Sequence, residues 1–260
     1  MSLSTARLDR FISEHCNISR RSVRLMLAKK RISVDGCVSS DIGQRIDKFS
    51  KITLDGQVLQ DNQAFYIMQH KPIGVVSATI DKQHKTVINL LEEQRLFSED
   101  TSEDKNNLHI VGRLDLNTSG LLLLTNDSRW SERLTSPKHK VEKCYQVTLQ
   151  NPLTDDYAPA FAKGMFFEFE NITTKPAKLK IIANHVNEQG HQYVAEVRLT
   201  EGRYHQIKRM FGRFRNPVIG LHRQAIGNLL LDEDLALGKS RFLTDEEIRG
   251  IFTAAVTESE

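Results

Sequence analysis

The chain has 260 residues, of which 39% are hydrophobic and 27% are charged, a composition typical of globular proteins. No apolar run approaches the roughly 20 residues of a membrane span, and the N-terminus lacks a charged start followed by an apolar segment, which argues against a membrane protein and a signal peptide. We therefore expect a cytoplasmic protein with one large core and one small additional module.

The cysteines and histidines argue against a metal or redox site. Cys16, Cys37 and Cys144 lie far apart and form no Cys-x-x-Cys pair, which predicts reduced, mostly buried thiols. The nine histidines include no pair at helical metal-ligand spacing accompanied by a carboxylate. The sequence also lacks the glycine-rich loops that bind nucleotide phosphates. We therefore expect no metal and no cofactor.

Positive charge is concentrated in the first 60 residues. They contain eleven Lys or Arg against six Asp or Glu, whereas the remaining 200 residues contain 25 against 27, and the net charge is +3. Six basic residues and no acidic residue lie between Ile18 and Val34. Such a cluster is usually a solvated surface, but its density here favours a polyanionic partner.

A helix is predicted inside this basic segment, from about Arg20 to Lys30. Ser19 is a suitable N-cap, and Val23, Met26 and Leu27 share the apolar face. Basic side chains group beside that face, so one side of the helix packs while the other is cationic. The candidate contacts to nucleic acid in this segment are Arg20, Arg21, Arg24 and Arg31.

Two strand-like pieces follow, each ending in an Asp-Gly turn: residues 31–36 and residues 51–56. The order Arg7-Leu8-Asp9-Arg10-Phe11-Ile12, Ser19-Arg20-Arg21 and Ile32-Ser33-Val34-Asp35-Gly36 resembles the S4 RNA-binding domain. The resemblance implies a small RNA-binding domain over residues 1–60. The polar residues that follow predict a linker over residues 61–64.

The body of the chain, predicted over residues 65–252, begins with a strand at Phe65–Met68. Lys71 lies in the turn that follows and is a candidate contact to RNA phosphate, with a solvated turn lysine as the equal alternative. Residues 98–107 are acidic and polar, which predicts a mobile surface loop. Residues 253–260 are predicted to form a frayed tail.

The segment from Gly112 to Asp127 places one carboxylate, Asp115, between an arginine and a turn. Four leucines follow directly, and their number suits a buried strand. This pattern is typical of a loop anchored in the core that presents a reactive side chain. A simple turn aspartate is the usual explanation for a lone Asp in a loop, but the motif is too long and too specific for it.

Two later segments carry further candidates. Residues 142–149 alternate as a strand and contain Tyr145, which taken alone is more often a packing residue than a functional one. Tyr193 to Leu199 is a second alternating strand, and it leads into Glu201-Gly202-Arg203-Tyr204-His205-Gln206-Ile207-Lys208-Arg209-Met210-Phe211. There a turn is predicted to pass into a helix with Ile207, Met210 and Phe211 on its apolar side.

Together these motifs resemble the RsuA branch of pseudouridine synthases, bacterial enzymes that isomerise a uridine within ribosomal RNA, over nearly the whole chain. The resemblance implies that Asp115 is the catalytic residue and that Tyr145 places its ring against the target base. It implies that Lys208 is the basic partner that keeps Asp115 ionised, where many relatives have arginine. Leu199 would be the apolar neighbour of the tyrosine, and Arg113 would fill the space of the extruded base.

The expected fold class is α+β: a small S4-like domain of two helices and a short sheet, then a mixed catalytic domain with a bent, mostly antiparallel sheet. The expected activity is isomerisation of a uridine in 16S ribosomal RNA by a monomer, on naked RNA or a small-subunit assembly intermediate, with Arg203 among the RNA contacts. The alternatives are a large-subunit RNA enzyme of the same family and a non-catalytic RNA-binding assembly factor. A glycosidase is disfavoured because a second carboxylate motif is missing.

Overall fold

The computed structural model describes residues 5–97, 107–187 and 190–252, including their side chains except at 186–192. Contacts divide the chain into two units, Met1–Ala64 and Phe65–Glu260, and the division falls at the end of the predicted linker. The predicted tail and all but the last residue of the predicted loop 98–107 lie outside the described residues. Within the described ranges, no helix is long and apolar enough to cross a membrane.

The N-terminal unit packs two helices against short antiparallel strands. Strands β2, β3, β5 and β6 form one sheet in the order β3-β2-β5-β6, and β1 pairs with β4. Leu8, Ile12, Val23, Leu27 and Ile52 are buried between helices and sheet. The elements are β1 (Ala6–Arg7), α1 (Leu8–His15), α2 (Arg20–Ala28), β2 (Ile32–Val34), β3 (Cys37–Val38), β4 (Arg45–Ile46), β5 (Ile52–Leu54) and β6 (Gln57–Gln60).

Local sequence signals explain the start and end of α2. The Ser19 hydroxyl accepts a hydrogen bond from the Ser22 amide at 3.1 Å, which caps the helix as predicted. The helix ends at Ala28 rather than at the predicted Lys30, because Lys30 adopts a left-handed backbone conformation with φ of 58°. Both predicted Asp-Gly turns are present and join strand pairs β2–β3 and β5–β6.

The C-terminal unit is built on a nine-stranded sheet. Seven strands follow the order β13-β14-β10-β15-β9-β7-β17, while β16 pairs with β15 and β8 pairs with β9. Of the strand pairs described, only β9–β15 is parallel. The strands of this sheet are β7 (Tyr66–Lys71), β8 (His109–Val111), β9 (Ser119–Thr125), β10 (Lys143–Leu149), β13 (Lys178–Asn187), β14 (Gly190–Leu199), β15 (Val218–Ile226), β16 (Leu229–Leu230) and β17 (Ser240–Phe242). Strands β11 (Phe166–Phe167) and β12 (Ile172–Thr173) form a separate two-stranded sheet.

Among the described residues, five helices accompany this sheet: α3 (Val87–Gln94), α4 (Ser128–Thr135), α5 (Tyr157–Lys163), α6 (Gln206–Gly212) and α7 (Asp245–Gly250). Helices α5 and α6 contribute Phe161, Met210 and Phe211 to a core beside β10 and β14. The α+β class, with a small helical and sheet unit followed by a mostly antiparallel sheet, is confirmed. Of the three cysteines only Cys144 is buried, so the prediction of mostly buried thiols is wrong for the exposed Cys37.

The leucine run forms part of β9, a buried strand, as predicted. All four leucines are fully buried. Leu121 and Leu123 pack into the core that contains Trp130, whereas Leu122 and Leu124 pack into the core below α3. Successive strand residues point to opposite faces, so a strand covered on both sides needs a continuous apolar run instead of an alternating one.

The strand register brings residues of four strands to one level of the sheet. Lys71 on β7 pairs with Gly120 on β9, Gly120 pairs with Arg223 on β15, and Arg223 pairs with Tyr145 on β10. Paired residues of neighbouring strands present their side chains on the same face. Gly120, with φ of 110°, leaves no room for a side chain, because a Cβ atom would lie 2.3 Å from the Arg223 carbonyl oxygen.

Candidate active site

Asp115 lies on the turn between β8 and β9 and reaches into a cavity of about 620 Å³. The Thr118 amide donates to the Asp115 carbonyl at 3.0 Å, which closes the turn. Ser77 exchanges two hydrogen bonds with the backbone of Leu114, at 2.8 and 3.0 Å. The Asp115 side chain stays 36% exposed. The backbone is thus fixed while the carboxylate remains accessible to a substrate.

Lys71 holds this turn from below. Its side chain is fully buried, and its ammonium donates to the carbonyl oxygens of Pro72, Asp115 and Thr118 at 3.0, 3.1 and 2.8 Å. The prediction that Lys71 contacts RNA phosphate is therefore wrong, because the side chain is buried. The alternative, a solvated lysine in a turn, is wrong for the same reason. Lys71 ends strand β7, whose pairing with β9 directs the side chain under the Asp115 turn.

Two basic side chains at the start of α6 face the carboxylate of Asp115. The Nζ atom of Lys208 lies 4.0 Å from Oδ2 of Asp115, and Nε2 of His205 lies 3.5 Å from the same oxygen. His205 adopts a left-handed backbone conformation with φ of 50°, which is uncommon for histidine. Lys208 therefore lies beside Asp115, where the sequence resemblance places a basic residue. His205 was not singled out from the sequence, although it lies inside the segment from Glu201 to Phe211 that leads into the predicted helix.

Tyr145 and Leu199 line the same cavity from strands β10 and β14. Behind Tyr145 lies Arg223, which is only 4% exposed. Its Nη1 donates to the Tyr145 hydroxyl at 3.4 Å, its Nε donates to the Leu121 carbonyl at 2.7 Å, and its guanidinium carbon lies 5.9 Å from the tyrosine ring centre. Arg223 was not singled out from the sequence, because its position beside Tyr145 depends on a strand pairing that sequence does not reveal.

Arg113 and Arg203 complete the cationic lining of the cavity. Arg113 is exposed, two residues before Asp115. The Nε of Arg203 lies 3.2 Å from Oε2 of the buried Glu201, so part of its charge is already neutralised. The cavity therefore brings together six of the predicted site residues: Arg113, Asp115, Tyr145, Leu199, Arg203 and Lys208.

The other predicted RNA contacts lie on the N-terminal unit. Arg20, Arg21 and Arg24 are exposed on α2 and make no ion pair within 4 Å among the described residues. Arg31 differs, since its Nε donates to a carboxylate oxygen of Asp55 at 2.8 Å. In the described parts of the chain, no group of three or more His, Cys, Asp or Glu side chains is placed to hold a metal ion.

Burial lowers the pKa of two lysines at this site. The pKa of Lys71 and that of Lys143 both fall from 10.5 to about 8, chiefly because of burial and in part because of the nearby Arg223 guanidinium. The carboxylate of Asp115 acts the opposite way and raises the pKa of Lys71. Both lysines therefore carry their charge at neutral pH and lose it as the pH rises through about 8.

The Lys143→Met variant tests the lowered pKa of Lys143. An unfolded lysine keeps its proton to about pH 10.5, so between about 8 and 10.5 the unfolded wild type binds more protons and its stability rises with pH. We expect the variant's stability relative to wild type to drop by roughly 1 kcal/mol between about pH 7 and about pH 9. Urea unfolding followed by fluorescence of Trp130, the single tryptophan, measures this difference.

Cys144 must be considered in this comparison, because burial raises the pKa of its thiol to about 11 and makes stability fall with pH in the alkaline range. That thiol is present in both proteins, so its effect cancels in the difference between them. A difference that is independent of pH would contradict the lowered pKa of Lys143.

Comparison with known proteins shows the family to which this chain belongs. The sequence profile described as RNA pseudouridylate synthase matches residues 65–212. Ribosomal small subunit pseudouridine synthase A of Pseudomonas aeruginosa is 45% identical over 93% of this chain and 98% of its own length. The Escherichia coli K12 protein of the same name is 41% identical over 94% of this chain and 99% of its own length.

A solved structure described as a pseudouridylate synthase aligns with a TM-score of 0.63 and 36% identity, covering 94% of this chain and 99% of the other. The profile match includes Asp115, Tyr145, Leu199 and Lys208, the residues around the cavity. The chain therefore belongs to the RNA pseudouridylate synthase family, whose members are isomerases.

Proposed function

We propose that this protein isomerises one uridine of 16S ribosomal RNA to pseudouridine. The observation that carries the proposal is the cavity in which the accessible carboxylate of Asp115 faces Lys208 and His205, with Tyr145 on the same wall. Further support is the 41 to 45% identity to relatives named ribosomal small subunit pseudouridine synthase A. The proposed enzyme is a cytoplasmic monomer that needs no cofactor and acts on 16S RNA or a small-subunit assembly intermediate.

The proposed reaction begins with extrusion of the target uridine from its stack, which costs a few kcal/mol. The exposed Arg113 fills the vacated space, and the ring of Tyr145 supports the extruded base by stacking, a contact that contributes roughly 1 to 3 kcal/mol per base. Asp115 then acts on the sugar, either by attack on C1′ or by removal of a sugar proton. Both roles are those of a carboxylate oxygen, and the Nζ atom of Lys208 lies 4.0 Å from Oδ2 of Asp115.

Mapping of pseudouridine in ribosomal RNA tests the proposal. Small- and large-subunit RNA are compared from cells that lack the protein and from the same cells rescued with wild type or with Asp115→Asn. We expect loss of one small-subunit pseudouridine, restored by wild type only. Loss of a large-subunit site would instead indicate the related large-subunit activity, and an unchanged map would indicate a non-catalytic RNA-binding factor.

We further propose that residues 1–60 form an S4-type RNA-binding domain, joined by residues 61–64 to the catalytic domain at 65–252. The exposed arginines of α2 are its phosphate contacts in this proposal. Phosphate contacts contribute affinity and salt dependence without reading the base sequence. The domain would therefore hold the RNA, while selection of the uridine would depend on the cavity around Asp115.

Removal of three charges from α2 tests this domain. We expect the triple variant Arg20→Gln, Arg21→Gln and Arg24→Gln to bind 16S RNA at least tenfold more weakly and to reduce the slope of log affinity against log salt by roughly 2 to 3. Filter binding over a salt series gives both values. Arg10→Gln is the matched control, because Arg10 is exposed on the same unit but paired with Glu14 at 2.7 Å. Equal salt slopes for the triple variant and wild type would contradict the proposal.

A further inference from the structure

Three cations are defined here as the inner cation cluster: Lys143 and Arg223, which line the cavity, and Lys71, which is buried beneath the Asp115 turn at the cavity wall. Lys71 and Arg223 are buried and Lys143 is half-buried. Lys143 donates to the carbonyl oxygens of Leu134 and Val141, at 3.1 and 2.7 Å. Lys71 and Arg223 likewise donate to backbone carbonyls, and Arg223 also donates to a tyrosine hydroxyl. Every hydrogen-bond partner of the cluster is therefore uncharged.

No member of the cluster forms an ion pair among the described residues. Among the residues that the structure describes, no carboxylate lies within 4 Å of any of its three members. The Nη2 atom of Arg223 is buried without a hydrogen-bond partner, and so is Oγ1 of Thr118, which lines the same cavity. Buried cations are normally paired, because desolvation of an unpaired charge is unfavourable. This arrangement is expected where negative charge arrives with the substrate or forms during the reaction.

The members of the cluster act on one another across this small region. Arg223 lowers the pKa of Lys71 and of Lys143, and the nearby carboxylate that opposes this effect on Lys71 is Asp115. The register across β7, β9, β15 and β10 fixes Lys71 and Arg223 at the level of Tyr145. The positive potential at the inner end of the cavity is thus built into the sheet before any substrate binds.

We propose that the inner cation cluster stabilises the uracil anion that forms when the glycosidic bond of the target uridine breaks. This inference rests on the proposed function. When the C1′–N1 bond breaks, its electron pair leaves with uracil, and the negative charge spreads over N1, O2 and O4. The electron deficit of C1′ is met in one of two ways: by a bond to the Asp115 carboxylate, which breaks again when the base rejoins, or by transfer of the C2′ proton to Asp115, which returns that proton when the base rejoins. The base then rejoins C1′ through C5, the C5 proton is lost, and N1 takes up a proton.

The proposed position of the uracil base brings it close enough to the inner cation cluster for its negative charge to be stabilised. In the proposed function the base stacks on Tyr145, and the guanidinium carbon of Arg223 lies 5.9 Å from the centre of that ring. At such separations, inside a partly desolvated cavity, charges interact strongly without direct contact. The intact uridine is neutral, so the attraction develops only as the bond breaks. The cluster should therefore accelerate the chemical step and leave substrate affinity nearly unchanged.

The test compares variants that remove a charge with variants that keep it: Lys143→Met against Lys143→Arg, and Arg223→Met against Arg223→Lys. We expect each methionine variant to lower the single-turnover rate on 16S RNA transcript, free or assembled with small-subunit proteins, by roughly 10- to 100-fold. We expect RNA affinity within about twofold of wild type and substantial recovery in the charge-keeping variants. Lys163→Met, which removes an exposed lysine of α5, is the surface control.

A transcript containing 5-fluorouridine separates charge stabilisation from simple misplacement of Tyr145. The 5-fluorouracil anion is intrinsically more stable than the uracil anion, so consumption of 5-fluorouridine should depend less on the cluster. We expect the rate ratio of wild type to Lys143→Met to be at least threefold smaller on the fluorinated transcript. Equal ratios on both transcripts would overturn the proposal, and so would methionine variants that react at the wild-type rate.

Folding of each variant is checked by fluorescence of the buried Trp130 and by RNA affinity. If Arg223→Met fails to fold, the Lys143 pair carries the test, because Lys143 is half-buried at the cavity wall and is easier to replace. Failure of the proposed function is distinguishable, since wild type would then form no pseudouridine in any transcript. Failure of the present inference leaves wild type active and the methionine variants either unaffected or equally impaired on both transcripts.

Discussion

Asp115→Asn should reduce pseudouridine formation by roughly 10⁴-fold or more while leaving RNA binding intact. Asparagine has nearly the same shape, so the turn held by Lys71 and Ser77 should persist. The neutral amide, however, neither attacks C1′ nor accepts a proton as a carboxylate does. Removal of one negative charge should also leave RNA affinity equal or slightly tighter, because RNA is an anion. Single-turnover kinetics and filter binding on one 16S RNA preparation measure both effects.

The matched control for this variant is Asp155→Asn, an exposed aspartate just before α5 that lies outside the cavity. It should react and bind as wild type does. Equal activity of Asp115→Asn and wild type would remove Asp115 from the reaction. A loss of activity that is accompanied by an equal loss of RNA affinity would mean that the substitution had disturbed the binding surface instead.

Gly120→Ala should destabilise the C-terminal unit by roughly 3 kcal/mol or more. The added Cβ would lie 2.3 Å from the carbonyl oxygen and 2.6 Å from the amide nitrogen of Arg223, so β9 and β15 would have to separate. A φ of 110° also disfavours any residue with a side chain. Because Gly120 follows the Asp115 turn, activity should be lost together with stability.

Urea unfolding monitored by Trp130 fluorescence measures this effect, since Trp130 packs in the core beside β9. Gly250→Ala is the control, because a Cβ at that helical position meets no atom within 4 Å. It should be neutral or slightly stabilising. If both alanine variants unfold at the same urea concentration, the close approach of β9 and β15 is not a source of constraint.

Much of the local structure was predictable because the relevant signals are short in sequence. The Ser19 cap, the two Asp-Gly turns and the four-leucine strand each depend on neighbouring residues. The end of α2 was placed two residues too late, because a left-handed lysine ended the helix in place of the glycine or asparagine usually found there. Whether a residue lies in a turn or in a strand also depends on tertiary pairing. Lys71 was predicted in a turn but lies in β7, where it pairs with Gly120 of β9.

The candidate site was predictable where its residues lie in recognisable motifs, as Asp115, Tyr145 and Lys208 do. Arg223 and Lys143 were not predicted to act there, since a strand arginine or lysine is usually solvated and only the register brings these residues inward. The position of His205 beside Asp115 could not be predicted either, because it depends on the left-handed backbone conformation of His205 at the start of α6. Residue type and spacing therefore identified the candidate catalytic residue, whereas the charged groups around it became apparent only in the assembled sheet.

The parallel pairing of β9 with β15 has a consequence for the order of folding. It joins Ser119 to His222, and the Ser119 hydroxyl and the His222 ring are also hydrogen-bonded at 2.9 Å, between residues 103 positions apart. Long-range parallel contacts form slowly, because a large loop must close before the contacts stabilise it. During synthesis the N-terminal unit can fold from its own local contacts long before β15 leaves the ribosome. The cavity around Asp115 is therefore among the last parts of the protein to form.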